Sequence, residues 1–253
     1  MGRLYTVTVG ARISEVSLSL RDTLARAAAA AVSAAVVAGA VVGYSPQTRD
    51  YQLLNRGTAE DRVAVIGDSY TTGTDEGGRG PQSWTAQTWQ LLAAQGFKVE
   101  PDVAAEGGAG YGIRGNHGNV FEDLTIRAVK RDDALVVFFG SRNDQPVDQA
   151  RFPVLVGETF QIARRVAPSA KFLVIGPPWP TADPPDVVLA IRDNLRIQAR
   201  GVGATFIDPL AEGWFVGRPD LIGPDGVHPN DAGHAYLAEK IAPLIRSQLT
   251  IPV

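Results

Sequence analysis

From Arg62 onward, short apolar runs alternate with longer segments of helical character, and this alternation limits the possible folds more than any other feature of the chain. Residues 63–66, 134–139, 171–175 and 204–207 read as buried strands, with a weaker one over 97–104 that Pro101 interrupts. Helices are expected over 82–94, closed by Gly96, and over 120–130, 154–166, 186–199 and 231–248. Strands separated by helices pair in parallel through crossovers, and a parallel sheet has both faces covered. The expectation is therefore an α/β fold, a three-layer α/β/α sandwich with a flavodoxin-like five-stranded parallel sheet of order 2-1-3-4-5. In that order the chain reverses direction between strands one and three, and open α/β sheets bind ligands outside the strand ends at such a point. The two ends that flank it are Gly67-Asp68-Ser69 and Gly140-Ser141-Arg142-Asn143-Asp144. Topology alone thus brings Ser69 and Asn143 together.

The N-terminal quarter differs in kind. Residues 1–26 are polar and carry Arg3, Arg12, Arg21 and Arg26 against Glu15 and Asp22. Residues 27–43 form an uncharged, Ala- and Val-rich hydrophobic helix, short for a span that usually takes ~20 apolar residues. An Arg-rich flank favours an uncleaved signal anchor, Ala38-Gly39-Ala40 resembles an export cleavage site, and a buried Ala-rich helix is the third reading. Either membrane reading implies contact with a membrane through 27–43 and a place in the cell envelope, anchored or secreted. Residues 44–61 read as a linker, and 62–253 as the globular domain.

A net charge of -3 offers no basic field, so nucleic acid is not expected as a partner, and the absence of cysteine removes thiolate chemistry. No Walker A sequence and no metal-ligand spacing is present, so neither a cofactor nor a metal is expected. Gly110-x-Gly112-x-x-Gly115 matches the dinucleotide fingerprint but does not follow the first strand. A Gly-x-Ser-x-Gly nucleophile elbow is also lacking. A serine at the end of strand one needs a base to attack anything, and the chain has three histidines. His117 reads as a surface or cleft-lip residue and His234 as a helix-face residue. His228 follows Asp225 by three residues in a turn containing Gly226 and Pro229, a spacing that lets a carboxylate orient one ring nitrogen while the other faces a serine. The same residues also suit capping of the last helix by Asn230 or Asp231. Donors for an oxyanion are on offer from the Ser69 N–H, from the glycines of Glu106-Gly107-Gly108-Ala109-Gly110 and from the Asn143 amide.

Gly67-Asp68-Ser69, a glycine in the second loop, Asn143-Asp144 after strand three and Asp225-x-x-His228 near the C-terminus together resemble the SGNH, or GDSL, hydrolase family, with loop spacings most similar to its actinobacterial members. The resemblance covers roughly residues 62–248. It implies Ser69 as nucleophile, His228 as base, Asp225 as its partner, and Gly108 and Asn143 as oxyanion donors beside the Ser69 N–H. Two departures stand out. Ser141 and Arg142 separate Gly140 from Asn143 where the family reads Gly-x-Asn-Asp, and Gly107 or Gly110 could replace Gly108. Hydrolysis of a small-molecule, glycan or lipid ester is the expected activity. The alternatives are O-acyl transfer to an envelope glycan and a catalytically inert membrane-anchored binding module. The loops 71–81, 106–118 and 179–186 are expected to wall an open cleft, with Trp84, Trp179 and Trp214 available either to stack on a sugar or to pack. Asp68 reads as shaping its turn.

Overall fold

A computed structural model describes residues 60–249. The charged segment 1–26, the hydrophobic helix at 27–43 and most of the linker lie outside the described residues, and no described helix is long and apolar enough to cross a membrane. Five strands run in the order β1 (Asp61–Gly67), β2 (Val99–Ala105), β3 (Leu135–Phe139), β4 (Lys171–Ile175) and β5 (Thr205–Ile207), all pairing in parallel as 2-1-3-4-5. The expected sheet is the observed one. Its first strand begins at Asp61, one residue inside the expected linker, because the Asp61 N–H bonds the Lys98 carbonyl at 2.9 Å and Asp61 pairs with Val99 of β2. Pro101 is accommodated because β2 is an edge strand, where a missing N–H leaves no central ladder bond unmade.

Helices α1 (Ser69–Thr72), α2 (Trp84–Ala94), α3 (Phe121–Ala128), α4 (Phe152–Val166), α5 (Asp186–Gly201) and α6 (Asp231–Leu249) occupy the connections and the C-terminus. Period-two alternation along the central strands feeds two separate cores. Ala64, Ile66, Val136, Phe138, Phe172 and Val174 pack with α3, α4 and α5. Val63, Val65, Leu135, Val137, Phe139 and Leu173 pack with α2 and α6 on the opposite face. Every residue of β3 is fully buried, as suits the middle strand of a sheet covered on both faces. α2 starts two residues later than expected, since Gly80–Gln82 forms a 3₁₀ turn and the Ser83 hydroxyl caps the helix by accepting the Ala86 N–H at 3.1 Å. Asn230 caps α6 by accepting the Gly233 N–H at 2.9 Å, one of the two residues the sequence offered.

Strand register decides where the site lies. Gly67 pairs with Ala105 on one side and Phe139 on the other, so three adjacent strands end level. Ser69, Gly107-Gly108 and Asn143 all follow within a few residues of those ends.

Candidate active site

The chain folds straight back from β1 into α1 at Gly67, where a Cβ would lie 2.2 Å from the Thr71 hydroxyl, so the turn requires glycine. Asp68 caps this single turn, its Oδ1 accepting the Tyr70 N–H at 2.9 Å. The sequence placed a turn at Asp68 and a loop from residue 71; the structure has a strand-to-helix turn, and Ser69 is the first helical residue. Its N–H therefore has no intrahelical acceptor. The side chain is nearly buried, at 7% exposure.

His228 reaches the same point from the loop before α6. Its Nε2 is 3.0 Å from Ser69 Oγ, and its Nδ1 is 2.6 Å from Asp225 Oδ2. Asp225 Oδ1 accepts the backbone N–H groups of Val227 and His228 at 2.8 and 2.9 Å. Desolvation pushes this carboxyl up, but the hydrogen bonds from the His228 ring and from the two backbone groups outweigh it, and Asp225 is held below its ordinary value. An ionised carboxylate on Nδ1 fixes the proton there and leaves Nε2 free to accept from the serine. Gly226, at φ +69°, closes the turn, and the Gly223 N–H bonds the His228 carbonyl at 2.8 Å. His117 and His234 stand elsewhere. His117 is an exposed residue on the lip of the cleft, whereas His234 is buried in α6 with its Nδ1 accepting the Trp84 N–H at 3.3 Å.

The glycine loop separates its candidates by what their N–H groups already do. Ala109 N–H bonds the Glu106 carbonyl and Gly110 N–H bonds the Ile113 carbonyl. Gly110 is moreover a packing glycine, because a Cβ there would lie 2.4 Å from Asp144 Oδ2. Gly107 and Gly108 line the cleft, with Gly108 at φ +79°. The Asn143 amide donates to the Ala109 carbonyl at 2.9 Å and more distantly to Asp68 Oδ2 at 3.4 Å.

Two carboxylates to which the sequence reading gave no role hold this loop. Asp144 is fully buried and accepts the N–H groups of Tyr111, Gly112 and Ile113 at 2.9, 2.8 and 3.2 Å, together with the Ser141 hydroxyl at 2.8 Å. Glu106 accepts the N–H groups of His117 and Asn119 and the Asn119 amide. Ser141 also explains the spacing departure. It stands at the same distance from Asn143 as the usual glycine and adopts φ +96°, the one positive φ at a non-glycine among the described residues. The pattern is kept, with serine in a glycine conformation. Asp68, also fully buried, has its carboxyl pushed up to about 6 by desolvation, against the opposing pull of the Tyr70 N–H and the Arg142 charge.

Ser69, Gly107, Gly108, Asn143 and His228 open onto a cleft of about 620 Å³ whose remaining wall includes Thr72, Thr74, Asp75, Arg79, Glu106, Asn116 and His117. Ala105 is its one apolar side chain, so most of the side chains on the wall are polar. The loops after β1 and β2 wall it as expected. The loop after β4 does not, because Pro180, Thr181 and Ala182 face a separate groove with Val216 and Ile222. Trp84 and Trp214 are buried in the core, and Trp179 lies under the Arg142 guanidinium, 4.5 Å from its ring centroid. Among the described residues no cluster of His, Asp and Glu is arranged to hold a metal ion.

The GDSL-like lipase/acylhydrolase family profile matches residues 65–236. The chain is 62% identical over 224 residues to GDSL lipase Rv0518 of Mycobacterium tuberculosis (strain ATCC 25618 / H37Rv), an alignment that covers 85% of this chain and 94% of that protein. The crystal structure of TesA has the same fold at a TM-score of 0.61 and 23% identity, covering 74% of this chain and 99% of that one. A family two carbohydrate esterase from Clostridium thermocellum superposes at a TM-score of 0.60 and 18% identity, over 75% of this chain and 65% of that one. The chain belongs to the GDSL-like lipase/acylhydrolase family of ester-hydrolysing enzymes.

Proposed function

We propose that the cleft hydrolyses carboxylic esters through an acyl-enzyme on Ser69. Ser69 Oγ attacks the ester carbonyl carbon while His228 Nε2 takes its proton, and Asp225 stabilises the resulting imidazolium. The oxyanion of the tetrahedral intermediate receives the N–H groups of Ser69 and Gly108 and the Asn143 amide, which exchanges its long contact with Asp68 for the new one. Collapse expels the alcohol, protonated by His228. Water then attacks the acyl-enzyme with His228 again as base, and the acid leaves. The observation that carries this reading is the unbroken series Asp225–His228–Ser69, with steps of 2.6 and 3.0 Å. The side chains of His228 and Asp225 are 26% and 32% exposed, which gives water access to the acyl-enzyme.

Ser69→Ala and His228→Ala are expected to abolish hydrolysis of a short p-nitrophenyl ester, and only the parent enzyme should be labelled by a fluorophosphonate. Full activity in Ser69→Ala would remove the mechanism. An unlabelled parent would instead support the inert binding module. The polar wall of Thr72, Thr74, Asp75, Arg79 and Asn116 supports a second reading, acyl transfer to a sugar hydroxyl in place of water. Acylated sugar among the products when an acceptor glycan is present would separate the two. The apolar composition of residues 27–43 supports a location at the cell envelope, which fractionation of the full-length chain tests.

A further inference from the structure

The hydroxyl of Tyr70 joins two other groups, one main-chain and one side-chain. It donates to the Val227 carbonyl and accepts from Arg142 Nη1 at 3.2 Å. Each of these residues is the immediate neighbour of one residue of the site: Tyr70 follows Ser69, Val227 precedes His228, and Arg142 precedes Asn143. Two links therefore run side by side between the same pair of segments, Ser69 Oγ to His228 Nε2 and Tyr70 hydroxyl to Val227 carbonyl.

The ring that carries the hydroxyl is packed on several sides. Tyr70 is fully buried, its ring edge-on to Phe139 at 6.2 Å and to Phe215 at 6.3 Å, and 6.0 Å from the His228 ring. Burial pushes its phenol up to about 12, so it keeps the proton that the Val227 carbonyl accepts. Arg142 is fixed in turn by lying over Trp179. The loop that carries His228 is otherwise held by bonds within its own stretch, Asp225 accepting the Val227 and His228 N–H groups and the Gly223 N–H bonding the His228 carbonyl, and the Tyr70 hydroxyl adds a tie from its Val227 carbonyl to the turn that carries Ser69. A general base must stay within hydrogen-bond reach of its proton, and displacement of a reacting group by about 1 Å can cost ~100-fold in rate.

We propose that the Tyr70 hydroxyl is a positioning group. It locks the Val227–His228 peptide to the nucleophile's own helix turn, and Arg142 holds it in the orientation that donates to Val227. This rests on the reading of Ser69 and His228 given above. It assigns a task to the residue after the nucleophile, which touches no reacting atom.

Tyr70→Phe removes the hydroxyl and keeps the ring that the core packs around. With p-nitrophenyl acetate, well below the melting midpoint of each variant, its kcat is expected to fall roughly 10–100-fold with KM within about twofold. Arg142→Leu should lower kcat in the same direction and Arg142→Lys should recover part of the loss. The double variant Tyr70→Phe/Arg142→Leu should be no worse than Tyr70→Phe, because both act through one hydroxyl. A role in packing alone would lower the midpoint and leave kcat of the folded enzyme unchanged, and that result overturns the proposal, as does a double variant whose losses multiply. Ser69→Ala is assayed alongside. If it is inactive while Tyr70→Phe keeps full kcat, the clamp alone is wrong; if it is active, the reading of the nucleophile falls and the clamp with it.

Discussion

Asn143 shows how much the site asks of one side chain. An amide nitrogen has two hydrogens, and here one is spent on the Ala109 carbonyl at 2.9 Å, which ties the end of β3 to the glycine loop. The other makes a 3.4 Å contact with Asp68, long enough to be surrendered when a stronger acceptor forms. The amide is thus aimed by its first bond and available through its second, the preorganisation that its proposed oxyanion role requires. Asn143→Ala removes both. Its kcat on a short p-nitrophenyl ester is expected to fall ~100–1000-fold with little change in KM, since in the proposed mechanism the lost bond exists mainly in the transition state. An equal loss carried wholly by KM would mean that Asn143 binds the ground-state ester. Asp144 is a different case at the same scale. Four donors converge on its buried carboxylate, so it fixes the loop without reaching the cleft.

Among the elements, the segment between α1 and α2 forms one rim of the cleft and is pinned to a helix more than 150 residues further on. Asp231 Oδ1 accepts the Gly78 N–H at 2.8 Å, and the His234 ring packs so closely that a Cβ on Gly78 would lie 1.9 Å from its Nε2. Gly78→Ala therefore combines a backbone strain, φ being +76°, with overpacking, and should cost about 2–4 kcal/mol in urea unfolding. Gly80→Ala, two residues on at φ +56° with nothing within 4 Å, carries the backbone strain alone and should cost about 1 kcal/mol. Equal losses would show that the ring contact contributes nothing. None of this pinning was legible in the sequence, where His234 read as one more residue on a helix face. The strands and their order were legible because β-branched runs and their spacing carry that information locally, and the register of β1, β2 and β3 then determined which loops meet. α1 escaped notice because four residues are too few to show a helical period, although Asp68 was already its cap. The choice among Gly107, Gly108 and Gly110 was equally closed to sequence, because it depends on which N–H groups the folded loop has already used. The loop after β4 turned away from the cleft for a similar reason: its Pro content signalled a loop, not a direction.

At the level of the whole molecule, each face of the sheet has its own core, and two buried titratable groups make opposite demands on pH. Burial raises Asp68 to about 6 from an ordinary value of 3.8, so the folded chain holds this proton more tightly than the unfolded chain does. Its contribution to stability is present below about pH 4 and is lost as pH rises through 6. Burial lowers His234 to about 4 from 6.5, so its contribution is present above about pH 6.5 and is lost as pH falls through 4. A tenfold change in proton affinity corresponds to ~1.4 kcal/mol, so each effect is worth roughly 3 kcal/mol, and the two slopes run against each other over the same interval. The parent protein should therefore change little in stability from these groups between about pH 4.5 and 6.5. Conservative variants would uncover the slopes one at a time. Asp68→Asn keeps an acceptor for the Tyr70 N–H, and His234→Asn keeps one for the Trp84 N–H, while neither titrates. Measured by urea unfolding relative to the parent, Asp68→Asn should become less stable as pH falls from 6.5 to 4.5, with His234 unopposed. His234→Asn should become more stable over the same range, with Asp68 unopposed. Curves that run parallel to the parent in both variants would mean that neither group titrates differently in the folded chain.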